Sequence, residues 1–281
     1  MPMPDIIAPL DWPKPAPNVL AFNTKRGTST LPPLGEIEGG HETEGNPTNT
    51  YSAFNVCDYT GDTAEHVMQC RTALCQSLHI PLHHLVMPRQ THTSNVAQVT
   101  AEMLALPYPE RMQQLHDVDA LVTALHGVCI GVNTADCVNI SLCDPVAGVI
   151  GVAHAGWRGT VKKIAAATVQ SMLTLGAEPH RIMAVMGASI CFDCFEVGLE
   201  VVQAFADAGF PISSITKRNP ATGKPHIHLQ AANAWVLQQA GLDARNIANA
   251  HRCSRCNPGT WFSARRMGIS SGRTFTGILQ R

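Results

Sequence analysis

The segment DCVNISLCDPVAGVIGVAHAGWRGT, Asp136–Thr160, decides the fold. Asp144-Pro145 is a turn signal between two apolar, β-branched runs, Val138 to Leu142 and Val146 to Ala153, and this predicts two strands joined by a tight turn. In an antiparallel pair the residue entering the first strand and the residue leaving the second lie at the same end. Cys137 and His154 hold those two places. A thiol and an imidazole together at one sheet edge make either a transition-metal site or a nucleophile with its base. The Ala-Gly-Trp-Arg-Gly loop that follows allows close backbone approach to a ligand, and it leads into a predicted helix whose N-terminus favours anions.

Outward from this centre, Asp119 to Thr123 and Val128 to Val132, separated by His126-Gly127, read as a hairpin feeding into Thr134-Ala135-Asp136. Downstream, Val161, Ile164, Ala165, Thr168, Val169, Met172 and Leu175 form one apolar helical face that Gly176 stops. Ile182 to Met186 is a predicted strand, and Phe195 to Ala208 and His228 to Ala240 are predicted helices with a hairpin between them. Asn246 to Ala250 and Thr274 to Leu279 are closing strands. Upstream, a short strand ends near Cys57, Gly61-Asp62-Thr63 supplies a turn and helix cap, and Ala64 to Leu78 carries helical apolar spacing. Leu85 to Met87 and Val96 to Val99 are short strands. No regular βαβ alternation runs through these elements, so the expected class is α+β, with mixed β-sheets flanked by helices in a single compact domain. Residues 1–50 are expected to form an irregular, proline-rich N-terminal arm and a mobile Gly, Pro, Thr and Glu-rich loop, and residues 51–281 the catalytic domain.

With 281 residues, 45% of them hydrophobic, the chain is long enough to bury a large core. A formal net charge of -1 gives no bulk attraction to nucleic acid or anionic membrane. The opening MPMPDIIAPLDWPKP has no basic region and no adequate apolar run, so a cytoplasmic protein with no membrane association is expected, its ten cysteines reduced. Cys70, Cys75, Cys129 and Cys143 sit among apolar residues and read as core side chains. Cys191-Phe-Asp-Cys194 and Cys253-Ser-Arg-Cys256 are two CxxC pairs, but their separation far exceeds that of a zinc ribbon, and a joint four-cysteine site is the less favoured reading. Gly268-Ile-Ser270-Ser-Gly272 matches the nucleophile-elbow pattern, yet the nine residues after it hold no Asp, Glu or His, so it reads as a glycine turn. Among thirteen histidines, His92 stands out because it lies between two predicted strands in a polar run; it gains weight as a ligand only where others converge on it.

The motifs QTH (90–92), DALVT (119–123), TADC (134–137), HAGWRG (154–159), FEVG (195–198), WFSARRMG (261–268) and SGR (271–273), in this order, resemble the YfiH/laccase-domain family, formerly described as multicopper polyphenol oxidases. The resemblance runs from about Tyr51 to the C-terminus. It implies an α+β sandwich, a zinc site with His92, Cys137 and His154 as ligands, and phosphorolysis of adenosine, inosine and methylthioadenosine with adenosine deamination alongside. Purine nucleosides and phosphate are the expected partners, and copper is the alternative metal. The chain departs from the family pattern at Thr93 and Cys191, where glycine is usual, and at Tyr59, where histidine is common.

Elementary chemistry agrees with this reading without reaching the substrate. Three ligands leave zinc a fourth position, the mark of a catalytic site, and zinc acidifies water to about neutrality, which suits attack on a purine C6. Phosphorolysis also needs a phosphate clamp, for which Arg158 with Arg265 or Arg266 is the expectation, since guanidinium matches phosphate bidentately; solvated or salt-bridging arginines are the equal alternative. Asp136 is either a general acid/base or the cap of a backbone turn, Trp157 either stacks on a purine or anchors packing, and Asn55 either binds ribose or base or stabilises a turn. Two other functions remain open. One is a cysteine hydrolase with Cys137 as nucleophile and His154 as base, acting on peptidoglycan precursors; the other is a non-catalytic metal-binding protein. A multicopper oxidase is disfavoured, because it needs several paired HxH motifs and His226-Ile-His228 is one isolated pair.

Overall fold

The central strand pair forms as two seven-residue strands, Val138–Asp144 and Val149–Ala155, with Asn139 opposite His154. In this computed structural model, which describes residues 6–27, 51 and 54–281, they lie inside a six-stranded sheet. Its order is Ile247–Asn249, Met183–Met186, Val138–Asp144, Val149–Ala155, Ala120–Thr123, Val96–Gln98. A five-stranded sheet packs against it, in the order Ile7–Pro9, Val19–Thr24, Thr274–Gln280, Cys129–Thr134, Leu85–Val86. Thr216–Arg218 and Pro225–Ile227 make a separate two-stranded hairpin.

Both faces of the six-stranded sheet are buried, and the period of two along each strand assigns them. Val138, Ile140, Leu142, Val149 and Ala153 pack on the Ile164–Leu173, Leu199–Asp207 and Leu229–Gln239 helices. The alternate residues Cys143, Ile150, Val152 and Leu121 meet Ile130, Val132 and Ile278 of the other sheet. The outer face of the five-stranded sheet, with Phe22, Cys129 and Phe275, is covered by Cys70, Leu74 and Leu78 of the Ala64–Leu78 helix. Helix, sheet, sheet and helices therefore stack as layers of one α+β domain, and no helix among the described residues is long and apolar enough to cross a membrane. Burial at roughly 25 cal/mol per Å² of apolar surface drives this stacking, so alternation on both faces is the feature that makes a two-sheet sandwich stable here.

Several expectations change. The irregular arm over residues 1–20 is corrected: Ile7–Pro9 and Val19–Thr24 are strands, and the second pairs with Thr274–Gln280 at the other end of the chain. The mobile loop expected over Gly27 to Thr50 lies, apart from Gly27, outside the described residues. The hairpin expected over 119–132 does not form, because Ala120–Thr123 pairs with Val149–Ala155 in one sheet and Cys129–Thr134 with Thr274–Gln280 in the other. The chain crosses between sheets at Gly127, whose φ of 69° suits a residue without Cβ. No strand ends at Cys57; Asn55 instead holds that segment through its side chain. The helix after the central loop breaks at Lys163, with φ of 60°, into Trp157–Val161 and Ile164–Leu173. The next begins only at Leu199, because Phe195 to Val197 pair in extended form with the Pro225–Ile227 strand.

The two CxxC pairs, separate in the sequence reading, come together. Met183–Met186 and Ile247–Asn249 are parallel neighbours with Met186 opposite Asn249, so the segments leaving them run out side by side. A bridge from Ser189 to Cys253 continues the pairing and carries the two loops into contact.

Candidate metal centre

Asp119, Cys137 and His154 fall on the face of the six-stranded sheet that looks toward the second sheet, by the same alternation that places Leu121, Cys143 and Val152 there. His154 is opposite Asp119 across the strand pair, its backbone N–H donating to the Asp119 carbonyl at 2.8 Å. Its Nδ1 donates to Asp119 Oδ1 at 2.7 Å, which leaves Nε2 as the ring atom on the side of Cys137 and His92. His92 comes from the loop before Val96–Gln98, and its Nε2 is 3.9 Å from Cys137 Sγ. The His92 and His154 rings meet edge to face, centroids 4.8 Å apart.

The three ligand atoms lie within 4.8 Å of one another. Tetrahedral coordination at usual zinc distances separates a nitrogen from a sulfur by about 3.6 Å, so this donor set closes on one ion with only small movement. Gly156 shows how tightly the pocket is drawn: a Cβ there would sit 2.7 Å from Cys137 Sγ and 3.0 Å from His92 Cδ2. Two imidazoles and one thiolate suit zinc and also copper.

Asp119 is the organiser that sequence reasoning missed. Fully buried, it accepts from His154 Nδ1, from the backbone N–H groups of Thr91, His92 and Thr93, and from the Thr93 hydroxyl. Burial pushes its carboxyl up, but the His154 interaction and the Thr93 donors outweigh that and hold it at about 2. His92 sits at φ of 64°, a conformation that costs of order 1–3 kcal/mol for a non-glycine residue, and the Asp119 bonds to its own and its neighbours' amides hold it there. The signal in the sequence was a carboxylate at the head of the buried DALVT strand, a position that demands partners.

Electrostatically the cluster is a charged pair in its metal-free form. Burial alone would raise the Cys137 thiol, but the His154 and His92 imidazoles bring it down to about 6. Burial would lower His154, whereas Cys137 and Asp119 raise it to about 9. At pH 7 thiolate faces imidazolium, a pair equally suited to receive a cation in exchange for the ring proton.

The other predicted residues fall into two groups. Asp136 has φ of 86°; its Oδ1 accepts from Ser254 Oγ and its Oδ2 from the Arg265 N–H, both at 2.6 Å. It ties the C-terminal WFSARRMG loop to the residue beside Cys137. Asn55 is fully buried, its amide spent on Cys57 O, Asp62 Oδ2 and the N–H groups of Cys57 and Arg273, so it serves the wall and presents no exposed atom to a ligand. Arg158 is exposed and its guanidinium stacks on Trp157, 4.3 Å from the ring centroid. Arg265 lies over Phe195, 5.6 Å from its centroid. Neither guanidinium pairs with a carboxylate among the described residues. Trp157, Phe195, Glu196 and Arg265 line one cleft of about 480 Å³. A larger one, about 1080 Å³, is lined by Tyr59, Arg71, His83, Tyr108 and others; neither cleft is lined by His92, Cys137 or His154, and the smaller is the one that includes Trp157, three residues beyond His154, and Arg265, whose N–H is bound by Asp136 beside Cys137.

The family model described as multi-copper polyphenol oxidoreductase laccase matches residues 41–281. The chain belongs to this family. Among relatives of this laccase-like family, adenosine deaminase RL5 from an unknown prokaryotic organism is 51% identical over 97% of this chain and 98% of its own. A purine nucleoside phosphorylase of Bacteroides thetaiotaomicron is 38% identical over 93% of this chain and 96% of its own. Among solved family structures, YlmD of Geobacillus stearothermophilus superposes with a TM-score of 0.80 at 28% identity, covering 95% of this chain and 93% of its own. The Bacillus licheniformis hypothetical protein YfiH gives 0.79 at 26%, covering 94% and 93%.

Proposed function

We propose that the protein is a zinc-dependent purine nucleoside phosphorylase acting on adenosine, inosine and S-methyl-5'-thioadenosine, with adenosine deamination at the same centre. The observation that carries this reading is the convergence of His92, Cys137 and His154 on one point, oriented by Asp119, beside a cleft walled by Trp157, Phe195 and Arg265. Relatives named adenosine deaminase and purine nucleoside phosphorylase support it. When bound, the metal supplies Lewis acidity and acidifies water.

The chain's own residues do the rest. Asp119 keeps the His154 proton on Nδ1, so the ligand nitrogen stays available. Trp157 offers an indole face to a purine, and Arg158 and Arg265, each held on an aromatic ring at the cleft, take the phosphate oxygens. Holding phosphate against the anomeric carbon replaces a bimolecular encounter by an oriented one, the largest contribution a positioning site makes to phosphorolysis. Asp136 positions Arg265 through its backbone N–H rather than acting as a general acid/base.

The test combines metal analysis with adenosine and inosine turnover, with and without phosphate, for wild type, Cys137→Ala and Arg158→Ala. The expected result is loss of activity and of the metal held by His92, Cys137 and His154 in the first variant and a raised KM for phosphate in the second. Unchanged phosphate dependence in Arg158→Ala removes the clamp, and release of hypoxanthine from inosine by wild type without phosphate removes phosphorolysis.

A second reading has its own support. Cys137, His154 and Asp119 form a nucleophile, base and orienter chain suited to a cysteine hydrolase. In that case His92→Ala retains activity and stoichiometric alkylation of Cys137 abolishes it without displacing any metal. A multicopper oxidase fits less well, because the only histidine-containing metal cluster among the described residues is this single one.

A further inference from the structure

We propose that Cys191, Cys194, Cys253 and Cys256 form a second metal site, a four-thiolate site for a structural zinc ion that ties the Cys191–Phe195 turn to the loop after Ile247–Asn249. The four sulfurs all lie within 4.8 Å of one another, and Cys194 and Cys256, 62 residues apart in sequence, approach to 3.4 Å. Sulfurs at the corners of a zinc tetrahedron are separated by about 3.8 Å, so the group already has the size of the ion's shell. The spacing exceeds a disulfide bond, and all four are free thiols.

The backbone around them is arranged for thiolates. Each CxxC closes a turn: the Cys194 and Phe195 N–H groups donate to Cys191 O, and the Asn257 N–H and side chain donate to Cys253 O. The Cys191 N–H points at Cys253 Sγ at 3.4 Å, and Arg255 Nη1 donates to Cys194 Sγ at 3.5 Å. Four thiolates around a dication carry two net negative charges, and these donors are placed to offset them. A soft tetrahedral sulfur set selects zinc or iron among common metals, and two CxxC turns brought together by parallel strands give zinc its usual closed structural shell.

The site has a consequence for the cleft. Phe195 and Glu196, which line it, directly follow Cys194, and Ser254, whose hydroxyl holds Asp136, directly follows Cys253. The second metal therefore clamps two segments of the active-site wall without touching the His92–Cys137–His154 centre.

The experiment uses the full chain purified under reducing conditions, with metal content per chain by elemental analysis, native mass spectrometry and sulfur coordination by X-ray absorption. Wild type is expected to hold two metal ions. Cys194→Ser and Cys256→Ser are each expected to fall to one, and Cys137→Ala to retain one, coordinated by four sulfurs at about 2.3 Å. Cobalt(II) exchanged into Cys137→Ala is expected to give the intense sulfur-to-metal charge-transfer bands of a four-thiolate site. Because Cys137→Ala lacks the first centre, the result stands whether or not the enzymatic reading holds. If the Cys194 and Cys256 variants do not fold, the metal content and spectrum of Cys137→Ala decide alone. No metal in Cys137→Ala, iron in place of zinc there, or two disulfides by thiol counting each overturns the proposal.

Discussion

Replacing Asp119 by asparagine tests the organisation of the centre with almost no change in volume. Oδ1 accepts from His154 Nδ1 and the His92 N–H, while Oδ2 accepts from the Thr91 and Thr93 N–H groups and the Thr93 hydroxyl. An asparagine turns one of these acceptor edges into a donor. Either the amide meets His154 Nδ1, and the imidazole takes the tautomer that blocks its ligand nitrogen, or it meets the backbone donors that hold His92 at positive φ. Metal affinity is expected to fall 10–100-fold, the usual effect of losing a group that orients a ligand. The carboxyl lies at about 2 in the folded protein against an ordinary 3.8, and that depression is worth about 2 kcal/mol of stability. Because the folded value is depressed, the contribution is fully present above about pH 4 and is lost as pH falls toward 2. Urea unfolding of the metal-free protein is therefore expected to show a gap of about 2 kcal/mol between wild type and Asp119→Asn at pH 7 that closes in acid. Metal titration against a competing chelator gives the affinity. A variant that binds metal within twofold of wild type and unfolds at the same urea concentration at pH 7 would show that Asp119 does not organise this centre.

Gly156→Ala places a methyl group 2.7 Å from Cys137 Sγ and is expected to abolish metal binding at the His92–Cys137–His154 centre while far-ultraviolet circular dichroism stays unchanged; wild-type metal occupancy of that centre in the variant refutes the tight approach. In metal-free protein Cys137 is expected to react with iodoacetamide with a midpoint near pH 6, losing reactivity below it as the thiolate is protonated, and added zinc protects it. Buried Cys129 and Cys143, pushed up by desolvation, stay unlabelled under the same conditions, as peptide mapping by mass spectrometry reads out. Asn55→Ala strands several buried partners and is expected to cost about 3 kcal/mol in denaturant unfolding, with no selective change in KM for nucleoside.

How much of this was legible in the sequence follows from which interactions are local. The turn at Asp144-Pro145 and the alternation on either side are local, so the strand pair was readable, and with it the meeting of Cys137 and His154 at one sheet end. The Ala64–Leu78 helix was readable because Thr63 caps it through its own side chain and its apolar spacing repeats within one element. The motif order carried the family and the α+β class. The pairing of Val19–Thr24 with the C-terminal strand, and the parting of Ala120–Thr123 from Cys129–Thr134 into two sheets, depend on partners far along the chain that no local pattern encodes. The same holds for Asp119, whose role exists only because its strand lies beside that of His154, and for the four cysteines, which meet only because Met183–Met186 and Ile247–Asn249 are parallel neighbours. Residue type determined which chemistry was possible at each position; strand pairing, a cooperative outcome of burying both sheet faces, decided which of those groups share a site.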